Sequence, residues 1–176
     1  MQSFTKEQID AARTRFKDAL RWPVSSLEYK GRTYPYFVIP VSALPSALPN
    51  GVMRMTPPKE DLDATNAPEK ITLFGVAESV PEASRQFCVI HEIEEFVHIG
   101  IDHCGRCAES AENEINLVVA SQLAVEEKKA HVVMRTAFFR DLIAYAGNNP
   151  KAFTPDDVAE FQRSLISFET AAVLFP

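Results

Sequence analysis

The sequence predicts an α+β fold: a small, mostly antiparallel sheet followed by a helical half. Short runs rich in β-branched and aromatic residues, bounded by Gly and Pro, fall between Ser26 and Val76. From Ser79 onward, apolar residues recur at helical spacing behind recognisable cap signals. Length and composition set the scale. A chain of 176 residues, 46% apolar and 24% charged, reads as one ordinary globular domain over residues 1–176.

The elements follow in order. Thr5-Lys6-Glu7-Gln8 resembles a capping box, and Ile9, Ala12, Phe16, Ala19 and Leu20 then recur at helical spacing to about Arg21. Trp22-Pro23 stops that helix. Ser26 to Tyr29, a Lys30-Gly31 turn and Thr33 to Ile39 form a β-hairpin pattern. Pro40 to Pro49 is an extended loop whose Val41, Leu44 and Leu48 are expected against the core. Gly51 to Met55 is a short strand, Pro57 to Pro68 a polar loop or lid, and Lys70 to Val76 the last strand. Ser79-Val80-Pro81-Glu82 opens a helix that runs to about Gly100. Further helices are expected over about Ala108–Lys128 and Ala130–Ala146. Gly147 to Pro150 breaks the chain, and Thr154-Pro155-Asp156-Asp157 starts the last helix with a capping Thr and acids at the positive end of its dipole.

Charge and cysteine usage exclude some classes. A net charge of -6 argues against non-specific nucleic-acid binding, which needs a basic surface. No apolar run has the length of a membrane span, and Met1 to Glu7 has no apolar signal core. Three cysteines, an odd count, suit a reducing compartment better than a disulfide framework. The expectation is a cytoplasmic protein with no nucleic-acid or membrane partner.

Chemistry concentrates in Ser79–Leu123, which holds three of the four histidines and all three cysteines. At about 100° per residue, Val89, Ile90, Ile93, Phe96 and Val97 share one face of the helix. His91, Glu94, Glu95 and His98 share the opposite face, with Glu92 at the border. Residues one turn apart can converge on one ion, so this face reads as a metal site, with His98 a further ligand at i+7 from His91. The alternative is four solvated polar side chains. His131 lies on a later helix without an assigned role, and Cys88 is expected buried and inert.

The run Ser84-Arg85-Gln86-Phe87-Cys88-Val89-Ile90-His91-Glu92 resembles the approach to the His-Glu-x-x-His signature in the ImmA/IrrE family of zincin-type metallopeptidases. Glu112-Asn113-Glu114-Ile115-Asn116-Leu117-Val118-Val119-Ala120 is similar to that family's second, ligand-bearing helix. The likeness covers roughly residues 71–124, and here the second His of the signature is Glu95. It implies a minimal zincin-like domain holding one divalent metal, zinc first, with manganese or iron favoured more than usual by the harder carboxylate. His91 and Glu95 would be ligands, Glu92 the general base for water, and Glu112 the third ligand, with Glu109 one turn earlier as the spare. Glu112 is preferred because it shares a face with Ile115, Val119 and Gln122, whereas Glu114 points roughly 200° away from it. The function implied is that of a metal-dependent hydrolase, a peptidase acting on a protein partner laid along the sheet edge.

Two other classes stay open. One is a non-catalytic binding or regulatory module on the same fold. The other is a small structural-zinc protein built on Cys104-Gly105-Arg106-Cys107, with His98 and His103 near in sequence. The plain reading of those two thiols is an ordinary helix entrance, dispensable for metal. The last two helices are expected to pack, or to form a homodimer surface.

Overall fold

The computed structural model describes residues 5–57, 61, 72–97 and 106–175. The fold is α+β. Helix α1 (Lys6–Ala19) precedes strands β1 (Val24–Tyr29), β2 (Arg32–Ile39), β3 (Val52–Met55) and β4 (Leu73–Ala77). Four helices follow: α2 (Glu82–Val97), α3 (Arg106–Ala120), α4 (Val125–Asn148) and α5 (Pro155–Ala171).

The sheet order is β1-β2-β4-β3. β1 and β2 form the expected hairpin, closed by Lys30 at φ 49° and Gly31 at φ 72°, the two left-handed residues that match the strands' own twist. β4 then inserts parallel to β2, and β3 pairs antiparallel on its far side. The sheet is therefore mixed, with two antiparallel pairings and one parallel. β3 occupies one edge and β1 the other.

Helix α2 lies across the sheet and also against α3 and α4. On the sheet side, Val89, Ile90 and Ile93 pack with Leu27, Tyr36, Phe74 and Val76. A second core joins Ala111 and Ile115 of α3 with Val132, Phe138 and Phe139 of α4 and Phe168 of α5. Leu48 from the proline-rich loop enters this second core and Leu44 packs against the first, whereas Val41 is exposed.

One helix boundary differs from expectation. The chain breaks at Ser121–Ala124, not near Lys128. Ser121 Oγ donates to the Val118 carbonyl (2.7 Å) and Lys128 Nζ to that of Val119 (2.7 Å), which satisfies the open end of α3. Glu127 accepts from the Ala124 amide (2.9 Å) and so starts α4. At α5 the Thr154 side chain accepts from the Asp157 amide, the start expected from sequence.

Candidate metal centre

Because α2 is covered on two sides, part of its polar face is buried, while Glu92 and Glu95 stay partly exposed. His91 is 2% exposed and Glu94 is also buried. The predicted face divides. Glu94 turns to the hairpin and accepts from Lys30 Nζ (2.7 Å). His91 and Glu95 turn toward the helical core, with His91 Nε2 3.8 Å from Glu95 Oε2. His98, His103 and Cys104 lie outside the described residues.

On α3 the buried face carries Cys107, Ser110, Ala111, Glu114, Ile115 and Val118. Their spacing of three and four residues is that of one helical stripe. Glu114 is 0% exposed, while Glu112 is exposed beside Ile166 and Leu174, and Glu109 is exposed too. Glu112, expected as the third ligand, is exposed, and Glu114, expected to point away, is the acid whose carboxylate comes to His91. The face that joins Glu112 to Ile115 and Val119 is not the buried one: Ile115 is buried together with Ala111 and Val118, whereas Val119 is exposed.

Glu114 sits at the centre of a buried charge network. Arg135 donates to its Oε2 from Nε (3.2 Å) and Nη2 (2.9 Å), and His131 Nε2 donates to Oε1 (2.9 Å). His91 Nδ1 approaches Oε2 to 3.0 Å, off the line of a hydrogen bond. Neither His131 nor Arg135 sits in a motif that assigns it a role from sequence. The signal was the run His131-Val132, Arg135, Phe138-Phe139 at helical spacing, all of it buried. Burial by itself would raise the Glu114 carboxyl, but Arg135, His131 and His91 outweigh it and hold it well below the usual carboxylate range.

With Nδ1 turned to a carboxylate, the other ring nitrogen of His91 faces away from it. His91 Nε2 lies 3.5 Å from Cys107 Sγ. Burial lowers the imidazole, and contacts with Cys107 and Glu114 outweigh it, pushing it up to about 10. An ion entering there must displace a proton. Burial, and then the neighbouring Glu95 carboxylate, push Glu92 up to about 7.

Among the described residues, two groups of three donors have all their donor atoms within 4.8 Å of one another: His91, Glu95 and Cys107, and Cys88, Glu114 and His131. The second fits a cation poorly. Its carboxylate is already neutralised by the Arg135 fork, and burial pushes the Cys88 thiol far above its usual range. The first opens onto a cavity of about 260 Å³, lined on its apolar side by Leu48, Phe138, Phe139 and Phe161 and on its polar side by His91, Glu92, Glu95, Cys107 and the Arg135 that pairs with Glu114. Val52 and Met53 of edge strand β3 form part of the same wall. An apolar pocket with a few convergent polar groups is the usual form of a small-ligand site.

No protein-family model, curated protein or solved structure matches this chain. Among the described residues, no helix is long and apolar enough to cross a membrane.

Proposed function

We propose that the chain is a zincin-like metal-dependent hydrolase acting on a protein or peptide, with His91 and Glu95 as metal ligands and Glu92 as general base. The observation that carries it is the pairing of His91 and Glu95, one helical turn apart and 3.8 Å between donor atoms, in the wall of a cavity that edge strand β3 also lines. The ring nitrogen of His91 opposite the ion would face Glu114, the carboxylate–histidine arrangement that orients metal-bound imidazoles. A bound divalent ion would polarise a carbonyl and make water a better nucleophile. Glu92 lines the same cavity and would hold the proton taken from that water. Arg54 of β3 shares a cleft with Glu92 and Glu95 and gives the two acids a neighbouring positive charge. An extended substrate segment would lie beside β3, pairing with its backbone. The free thiols of Cys88 and Cys107 suit a reducing, cytoplasmic setting.

The test is elemental analysis of untagged protein together with hydrolysis of an unstructured protein substrate. Expected are one divalent ion per chain and activity that Glu92→Gln lowers by about 10²–10⁴-fold while retaining the ion. Metal without hydrolysis would turn the reading to a binding module, and no metal in a folded protein would end it.

A further inference from the structure

We infer that Cys107 is the third protein ligand of this centre, making it a His91–Glu95–Cys107 site whose remaining position opens into the cavity. The inference rests on the reading of His91 and Glu95 as metal ligands and names what completes them. The distances carry it. With bond lengths of about 2.0 Å to nitrogen and 2.3 Å to sulfur, tetrahedral angles place N and S about 3.5 Å apart. His91 Nε2 and Cys107 Sγ are 3.5 Å apart. The same geometry places N and O about 3.4 Å apart. The His91–Glu95 separation of 3.8 Å needs only a few tenths of contraction. The sulfur and the Glu95 oxygen are also within 4.8 Å of each other.

The surroundings suit a metal-bound sulfur. Cys107 is in the first turn of α3, at the positive end of that helix's dipole. The buried Ser164 hydroxyl of α5 lies 3.4 Å from Sγ and 3.0 Å from the Glu160 carbonyl oxygen, so its single proton is shared between the two. Among the ligands, Glu95 and a Cys107 thiolate match the charge of a divalent ion, while Arg135 offsets Glu114 and Arg54 stands beside Glu92. A second cavity, of about 310 Å³, touches both Glu95 and Cys107 and gives an entry path. The sulfur changes which metal the site prefers. A lone carboxylate beside one imidazole leans toward harder ions, whereas adding a thiolate selects zinc over manganese.

The experiment uses full-length, untagged protein, stripped with a chelator and titrated with cobalt(II). Wild type should take up one equivalent and show an intense near-ultraviolet sulfur-to-cobalt charge-transfer band. In Cys107→Ser the visible ligand-field bands should persist at higher cobalt concentration, with the charge-transfer band gone. A second measurement needs no variant: zinc should protect Cys107 of the wild type from maleimide alkylation, read by peptide mass spectrometry, while Cys104 reacts at its metal-free rate. Cobalt uptake without the charge-transfer band would overturn Cys107 as a ligand and leave the His91–Glu95 reading standing. Equal protection of Cys104 would overturn the inference in favour of a Cys104–Cys107 site. No cobalt uptake by folded wild type would end both readings.

Discussion

Replacing Glu114 by alanine leaves the Arg135 guanidinium, 1% exposed, without the carboxylate that its Nε and Nη2 engage. It also strips the Nε2 partner from His131, itself 0% exposed. Breaking a buried pair from one side costs about 3–5 kcal/mol, because the remaining charge is desolvated and uncompensated. For a chain of this length, each kcal/mol corresponds to about 2–4 °C in Tm, so Glu114→Ala should melt roughly 6–20 °C below wild type. Glu112→Ala, two residues away on the exposed face, should stay within about 0.5 kcal/mol. The assay is urea and thermal unfolding followed by circular dichroism, with chelator present so that metal linkage does not contribute. The double variant Glu114→Gln/Arg135→Met removes both charges and should be less destabilised than the two single changes summed. If Glu114→Ala and Glu112→Ala unfold alike, the buried network is not what holds α3 to α4, and the placement of His91 against it loses its basis.

The pH dependence has a definite sign. The Glu114 carboxyl is held below its usual range in the folded chain, so its contribution is fully present above the ordinary carboxylate pKa of about 4.3 and is lost as pH falls below that. Acid unfolding of wild type should therefore be steeper than that of Glu114→Gln by up to about 1.4 kcal/mol per pH unit, measured by urea unfolding at a series of acid pH values. Glu92→Gln should keep its metal and lose hydrolysis by about 10²–10⁴-fold, the range of general base catalysis, measured as turnover of an unstructured protein at equal metal loading. Glu95→His, which restores His-Glu-x-x-His, should bind zinc more tightly than wild type and Glu95→Ala more weakly, in competition titrations at one pH. Zinc at 100 times its Kd should stabilise the wild type by about 2.7 kcal/mol, and a chelator should reverse the rise in Tm.

The elements that were legible are those whose signals are local. The Lys30-Gly31 turn demands left-handed backbone wherever the hairpin goes, and Thr154 with Asp157 caps α5 without help from the rest of the chain. His91, Glu92 and Glu95 were legible as a group because helical spacing alone puts the first and last on one side of α2. The break at Ser121–Ala124 carries no Gly or Pro; it is held by Ser121 on the Val118 carbonyl, by Glu127 on the Ala124 amide and by Lys128 reaching back to Val119, and only the last of these spans more than one turn.

What the sequence by itself determined is the class of fold, the order of its elements and the pairing of one imidazole with one carboxylate. Those follow from periodicity and caps, which act over a few residues. The tertiary structure alone decided which side of each helix is inside. A single amphipathic stripe is the right expectation for a helix with one covered face, but α2 is covered by the sheet on one side and by α3 and α4 on the other, so His91 and Glu94 are buried despite facing away from Val89 and Ile93. On α3, Glu112 and Glu114 differ by two residues and about 200° of rotation, and only the packing partner selects between them. The fold turned Glu114 inward because Arg135 and His131 wait on α4 to hydrogen-bond its carboxylate, and an acid can be buried at small cost only where such partners are already in place. The same packing brought Cys107, sixteen residues along the chain, to 3.5 Å from His91.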